Sequence, residues 1–160
     1  MKNLLLATTL LTASFIGNAA DYIIDTKGAH ASINFKVNHM GFSYITGRFN
    51  KFDGQFSYDA ANVAASKITV NIDATSVDSN HAKRDKHIRD DDFLDTSSFA
   101  TAKFVSNKVE DQGNDKLAIT GDLTMHGVTK SITIDAVRIG EGKDPWGGYR
   151  VGFSGTTKIS

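Results

Sequence analysis

The sequence predicts an all-β domain, in which an antiparallel sheet curls towards a barrel and one long connection carries a short helix. Apolar and polar residues alternate with a period of two through most of the chain after residue 20, which is typical of half-buried strands. The segments between these runs have hairpin length and are rich in Gly, Asn and Asp. Residues 76–99 alone break the alternation. Because each strand has one apolar and one polar side, the sheet is covered on one face, and successive strands pair with their neighbours.

Composition narrows the class of protein further. The chain has 160 residues, which suits one domain, with 40% hydrophobic and 22% charged residues. Eighteen basic residues balance eighteen acidic ones, so the excess of cations that nucleic-acid binding requires is missing. The absence of cysteine excludes disulfides, thiolate zinc sites and a cysteine nucleophile.

The first 19 residues have the layout of a secretory signal. Lys2 precedes an uncharged apolar run from Leu4 to Ile16, and small residues stand at Gly17 and Ala19. The apolar run is too short to cross a bilayer core of about 30 Å comfortably as a helix. We therefore predict cleavage after residue 19 and a mature domain of residues 20–160. That domain is expected in the bacterial periplasm, without stable insertion into a membrane.

The strands follow the alternation along the chain. Phe49 is out of parity with Phe52, which predicts a β-bulge near Asn50. The turns fall at residues 59–62, 111–115, 126–127 and 140–148. The predicted strands are residues 31–37, 52–58, 68–74, 102–109, 117–125 and 132–136, and a last strand that opens at residue 151.

One short helix is predicted within the long polar connection. Its first residue is His81, with Ser79 or Asn80 as the N-cap, because short polar side chains accept hydrogen bonds from the first free N–H groups. The acidic run at residues 90–92 ends it.

The charged helix admits three interpretations. His81 and Asp85 are four residues apart and share a face, as metal ligands do, but His87 points elsewhere. A His–Asp pair could instead serve acid–base catalysis. The third interpretation is structural, with Arg84 and Asp85 holding the connection against the barrel rim through charge-assisted hydrogen bonds. We favour the structural interpretation, because charge runs on short helices are mostly solvated or form local networks. No catalytic residue and no metal ligand are assigned.

The aromatic residues are compatible with either a solid core or a lined cavity. Nine Phe remain after residue 19, and parity places Phe35, Phe56, Phe104 and Phe153 on inward faces. A solid core is the ordinary role of Phe in a strand. A barrel of about eight strands can also hold one slender ligand, and several inward positions carry Gly or Ala, which leave volume unfilled.

Several ordered blocks resemble the YceI family of periplasmic proteins, and the similarity runs from residue 20 to the end of the sequence. These blocks are AHASINF and VNHMGF within residues 29–42, GRFNKFDG at 47–54, TSVDSN at 75–80, RDKHI at 84–88, DFL at 92–94, ITGDLTMHGVTK at 119–130 and DPWGG at 144–148.

The resemblance implies an eight-stranded, lipocalin-like antiparallel barrel with an elongated apolar cavity. It implies a ligand such as a polyisoprenoid, a quinone-like isoprenoid or a fatty amide, no catalytic residues and no cofactor. Family members usually continue beyond this point with a loop and a closing strand, so we expect the last strand to be missing from this chain.

These observations together predict a periplasmic carrier of a long-chain apolar lipid such as an isoprenoid. The alternatives are a secreted hydrolase that uses His81, Asp85 and His87, and a solid-cored stress protein without a ligand. A homodimer is left open. His39, Arg48, Arg84 and His87 are expected to meet a polar head. The predicted ligand-binding residues are Phe35, Val37, His39, Phe42, Phe49, Phe56, Phe104, Phe153, Arg84 and His87.

Overall fold

The computed structural model describes residues 19–159 and confirms the predicted all-β fold class with one short helix. The antiparallel sheet is curled into a half-barrel. The predicted secretory signal lies outside the described residues, apart from Ala19. The strands are β1 (Ala20–Ile23), β2 (Ile33–His39), β3 (Ser43–Phe49), β4 (Phe52–Tyr58), β5 (Lys67–Asp73), β6 (Val77–Asp78), β7 (Thr101–Gly113), β8 (Lys116–Met125), β9 (Val128–Lys143) and β10 (Tyr149–Thr156); the helix is α1 (Ala82–Arg89), and short 3-10 turns lie at Val63–Ala65 and Ala74–Ser76.

The strands form two sheets. The larger has the order β1-β4-β5-β7-β8-β9-β10, and the smaller has the order β2-β3-β6, with every pair antiparallel. Most neighbours in the sheets are also neighbours in sequence, as the short loops predicted.

The larger sheet curls strongly on itself. β4 is second in the strand order and β10 is last, yet the ring of Phe153 on β10 lies 5.9 Å from that of Phe56 and 5.1 Å from that of Tyr58, centroid to centroid. Arg150 at the start of β10 also forms a 2.6 Å ion pair with Asp25, just after β1. Side chains therefore bring the two edges of the larger sheet together, without backbone pairing between β1 and β10 in the described residues.

A corner replaces the predicted bulge near Asn50. β3 ends at Phe49 and β4 begins at Phe52, and the two strands belong to different sheets. The corner is held by backbone N–H groups: that of Asn50 donates to the Ser76 carbonyl at 3.1 Å, and that of Lys51 donates to the Ser76 hydroxyl at 2.9 Å. The prediction of a bulge was wrong because the neighbouring strand breaks at the same level, so the whole sheet bends there.

Three strands were not predicted, β1, β3 and β6, and two are longer than predicted. β1 is four residues long, and β3 alternates weakly because Gly47 stands among its inward positions. β7 and β9 extend to 13 and 16 residues, through polar segments that the alternation excluded. In such segments the backbone N–H and C=O groups form hydrogen bonds with the neighbouring strand of the hairpin, whatever the side chains are.

The helix begins one residue later than predicted. His81 is its N-cap, and its Nδ1 accepts a hydrogen bond from the backbone N–H of Arg84 at 3.1 Å, so the cap is neither Ser79 nor Asn80. An imidazole nitrogen can accept as a carboxylate does, which the usual capping preferences do not reveal. The helix ends before Asp90, as predicted. No helix within residues 19–159 has the length and apolar content needed to span a bilayer.

The buried core lies at the corner, where the two sheets and the helix meet. Its central residues are Phe49, Ile72, Val77 and Ala102, and Ile88 from α1 packs against them. The helix segment is thus packed against the corner of the half-barrel. No large side chain among the described residues is completely buried, so the core is thin and much apolar surface stays accessible.

Candidate functional site: the concave face

The inward side of the curled sheet forms one continuous apolar surface, which we call the concave face. Within the larger sheet the pairing register establishes it, because directly opposed residues point to the same side of a sheet. Phe56 opposes Ile68, Val70 opposes Phe104, and Phe104 in turn opposes Leu123. Phe35 and Phe49 of the smaller sheet join it by packing with Ile72 and Ala102, and Phe153 joins it through its ring contact with Phe56. The concave face comprises Tyr22, Phe35, Phe49, Phe56, Ile68, Val70, Phe104, Ile119, Leu123, Ile134 and Phe153.

Glycines let two aromatic rings lie flat on this face. Gly47 stands opposite Phe35, and a Cβ at Gly47 would collide with the Cζ of that ring. Gly121 on β8 makes room for Phe104 in the same way, because a Cβ added at Gly121 would lie 2.7 Å from the Cζ of that ring. Rings that lie along the sheet in this way cover the backbone of the strand beside them.

An aromatic cluster lines the part of the face where the sheet edges meet. Tyr22 stacks on Phe56 with 5.0 Å between ring centroids, and Phe153 meets Phe56 and Tyr58 edge to face. Burial raises the pKa of Tyr58. The rings of Tyr22, Phe56 and Phe153 remain half-buried, so a ligand can still contact them.

The concave face is an open trough in residues 19–159. At its β2 end, Val37 is 53% exposed. A separate depression of about 580 Å³ lies between residues 60–64 and 107–111, and none of the predicted ligand-binding residues lines it.

The structure brings some predicted ligand-binding residues together and separates others. Five of them lie on the concave face: Phe35, Phe56 and Phe153 are half-buried, and Phe49 and Phe104 are buried. Val37 and His39 continue the same face at the outer end of β2, where both are exposed. Phe42 lies beyond the face, in the β2–β3 turn, and is 89% exposed. Arg84 and His87 belong to α1.

Arg84 and Asp85 form the structural network that the sequence suggested. The carboxylate of Asp85 is buried and accepts hydrogen bonds from the Ser79 backbone N–H at 2.8 Å and the Ser79 hydroxyl at 2.5 Å. The guanidinium of Arg84 donates to the Ser79 hydroxyl at 2.7 Å and to the Ser79 carbonyl at 2.6 Å. Burial alone would raise the pKa of Asp85, but the hydrogen bonds from Ser79 outweigh it and the pKa is lowered.

The three groups proposed for a hydrolase have separate structural partners. His81 caps the helix, Asp85 binds Ser79, and His87 lies 3.4 Å from a carboxylate oxygen of Asp92. Across residues 19–159 no three His, Cys, Asp or Glu side chains cluster as metal ligands would.

A charged cluster at the rim was not predicted. Arg150 bridges Asp25 at 2.6 Å and Asp144 at 2.7 Å, and Asp25 also accepts a hydrogen bond from His30 at 3.0 Å. The His30 side chain, the Gly28 backbone N–H and Arg150 together lower the pKa of Asp25. The Gly148 backbone N–H and then Arg150 lower the pKa of Asp144. Sequence reasoning had no means of joining residues from opposite ends of the chain.

The curled sheet, the helix packed at its corner and the accessible aromatic face define a β-barrel-type protein with an apolar trough. Residues 22–160 match the family model for the YceI-like domain. The chain belongs to the YceI family.

The relatives agree over nearly the whole chain. A UPF0312 protein of Vibrio cholerae is 62% identical over 162 residues, covering 99% of this chain and 86% of the relative. A UPF0312 protein of Shewanella denitrificans is 61% identical over 164 residues, covering 100% of this chain and 85% of the relative.

Solved structures share the architecture. Burkholderia cenocepacia BcnA matches with a TM-score of 0.68 at 25% identity, over 74% of this chain and 72% of BcnA. The Campylobacter jejuni YceI protein matches with a TM-score of 0.65 at 33% identity, over 79% of this chain and 74% of that protein.

Proposed function

We propose that this protein is a periplasmic carrier of a long-chain apolar lipid such as a polyisoprenoid, which it holds along the concave face. The observation that carries the proposal is the set of half-buried aromatic rings on that face, Phe35, Phe56 and Phe153. A hydrocarbon chain laid along the trough is removed from water together with these rings. Burial of this kind stabilises a complex by about 25 cal/mol for each Å² of apolar surface.

Family membership supports the same class of ligand. The resemblance to YceI proteins implies binding of polyisoprenoids or similar long chains. A trough lined by half-buried rings along the curled sheet suits a slender tail better than a compact ligand. The charged groups of α1 support a binding protein rather than a hydrolase, because His81, Asp85 and His87 each serve a local structural contact.

The sides of β2 and β3 on which the polar residues lie limit where the head group of the lipid could bind. His39 lies at the outer end of the concave face and is exposed, so it suits contact with a head group. Arg48 lies on the opposite side of β3, and Arg84 is bound to Ser79. We therefore favour His39 over both arginines for this contact.

The carrier proposal is tested by native mass spectrometry of the exported protein from its own cells. We expect a bound lipid on the native protein and much less on Phe153→Ser, which removes an accessible ring. Ile139→Ser is the matched control, because Ile139 is 73% exposed and is not part of the concave face. A native protein free of lipid would favour the solid-cored alternative, and loss from both variants alike would contradict the proposed site.

Export is tested separately by sequencing the N-terminus of the mature protein. We expect the first residue to be Ala20, because Gly17 and Ala19 satisfy the small-residue rule for cleavage. A protein that still begins at Met1 would contradict the periplasmic location.

A further inference from the structure

We propose that the β2–β3 hairpin is a docking element that inserts its turn into the surface of an anionic phospholipid membrane. The proposal goes beyond the carrier function and does not depend on a lipid in the trough. It rests on exposed apolar side chains, on the charge of the hairpin and on the rigidity of its turn.

The hairpin presents large apolar side chains to solvent. Met40 is 77% exposed, Phe42 is 89% exposed and Tyr44 is 61% exposed. Scattered single residues of this kind are ordinary, but here they are contiguous at a protruding turn. Such a group suits a surface that offers apolar volume, as the acyl region of a bilayer does.

The hairpin projects from the rest of the fold. β6 pairs with β3 only at Arg48 and Phe49, so the outer parts of β2 and β3 pair with each other alone. The five residues from Ser43 to Gly47 span about 15 Å at strand geometry. The turn can therefore reach a surface without the half-barrel having to enter it.

The turn is held in one shape before any contact is made. The backbone N–H of Gly41 donates to the Asn38 side chain at 2.7 Å, and that of Phe42 donates to the His39 carbonyl at 3.1 Å. Met40 and Gly41 have φ of 55° and 79°, the left-handed conformations that such a turn needs. Little conformational entropy remains to be lost on docking.

The charge of the segment selects an anionic surface. The whole sequence is balanced, yet no Asp or Glu occurs between Asp25 and Asp53. Lys36 lies 3.9 Å above the ring of Tyr44, a pairing of cation and aromatic ring that suits the head-group region. Within the hairpin the cationic residues are Lys36 and Arg48; Arg48 stands opposite Asp78 on β6, so Lys36 carries the positive charge nearest the turn.

The same charge disfavours a second copy of the chain as the partner. A symmetric contact between two turns would bring Lys36 of one copy towards its equivalent, at a cost from like charges. An anionic leaflet attracts the same lysine, and each lysine near such a surface strengthens binding.

The test uses one tryptophan as a depth probe in the processed, exported protein. The double variant Phe42→Trp, Trp146→Phe places the only tryptophan at the turn, since the native chain has one. With vesicles of phosphatidylglycerol and phosphatidylcholine we expect a blue shift of its emission and quenching by brominated acyl chains. With pure phosphatidylcholine, or in high salt, we expect neither.

The native protein is the matched control, because Trp146 is 81% exposed in the β9–β10 turn. We expect no shift from Trp146. An equal shift in the native protein and the double variant, or no shift in the double variant, overturns the proposal. A shift that needs no vesicles and grows with protein concentration overturns it in favour of a second copy.

Two further variants test the apolar contribution and the charge contribution of the hairpin separately, by vesicle sedimentation. Met40→Asn keeps a residue that tolerates the left-handed conformation and removes an apolar side chain. Lys36→Glu reverses the charge, and we expect it to weaken binding to anionic vesicles about tenfold. Ile139→Asn and Lys116→Glu are the matched controls, because they replace an apolar and a cationic side chain at exposed sites outside the hairpin. Losses of binding in these controls equal to those in the hairpin variants overturn the proposal.

Lipid bound to the native protein in solution is measured in the same preparation, so failure of docking and failure of the carrier function are distinguished.

Discussion

Ser79 forms hydrogen bonds with both Asp85 and Arg84, the two charged residues that anchor the helix. Its hydroxyl meets both Asp85 and Arg84, and its backbone N–H and carbonyl bind the same two side chains. A buried carboxylate is tolerated only when its oxygens are satisfied in this way. The helix is thereby fastened to the strand segment that precedes it.

Removal of the carboxylate tests this role. We expect Asp85→Ala to lower the free energy of unfolding by about 1–3 kcal/mol, because it leaves the buried donors of Ser79 without an acceptor. Denaturant melts measure the loss. Asp122→Ala, at an exposed carboxylate on β8, is expected to be nearly neutral. A melt of Asp85→Ala that matches the native protein would show that the network does not stabilise the fold.

Phe104 and Phe153 differ in role although both lie on the concave face. Phe104 is 5% exposed, so Phe104→Ala is expected to cost about 3–5 kcal/mol of stability. Phe153 is half-buried, and Phe153→Ala is expected to cost less stability and to reduce bound lipid more. Melts of lipid-free protein, paired with lipid retention, separate the two effects. If Phe153→Ala lost more stability and Phe104→Ala lost more lipid, the ligand would bind elsewhere.

At the scale of the element, the flat rings depend on glycine in the strand beside them. A Cβ at Gly47 would collide with Phe35 and lie 2.7 Å from the Asp78 carbonyl, neither of which can move freely. We expect Gly47→Ala to cost about 1–3 kcal/mol and to reduce lipid uptake as the ring is pushed into the trough. Gly140→Ala is the control, because nothing lies within 4 Å of its added Cβ. Equal melts for the two variants would contradict this account.

Strand alternation made most of the sheet predictable, and the failures have a physical cause. Parity placed Phe35, Phe104 and Phe153 on one face, and packing at the corner and the contact between Phe153 and Phe56 agree with it, although the β9–β10 register shifts just before Phe153. The corner at Asn50 was not predictable, since it depends on a simultaneous break in a neighbouring strand. The helix cap at His81 was missed because imidazole is rarely an acceptor there. The ligand-binding role of the concave face stays a prediction.

At the scale of the whole molecule, the rim cluster of Arg150 with Asp25 and Asp144 holds the curled sheet. The pKa values of both carboxyls are lowered in the folded state from their usual 3.8. A lowered carboxyl pKa stabilises the fold above the unfolded value and loses that effect as the pH falls through the folded value. The cluster therefore contributes at neutral pH and fails in acid.

Neutralising one carboxyl should show this dependence. We expect Asp144→Asn to melt below the native protein at pH 7 and to approach it as the pH is lowered below about 3.8. Thermal melts across this range give the comparison. A difference that stays constant down to the lowest pH would show that the asparagine acts through packing, because the native carboxylate loses its charge there.

The link between Arg150 and Asp25 joins residues 125 positions apart in the chain. Contacts of such sequence separation form late, because the entropy of closing the loop is lost before the contact forms. The hairpins from β7 to β9, with short turns, are expected to assemble first, and the meeting of β10 with β1 is expected to limit the folding rate. A domain whose sheet edges meet through residues this far apart in sequence spends longer without that contact after synthesis, which suits the export that we propose.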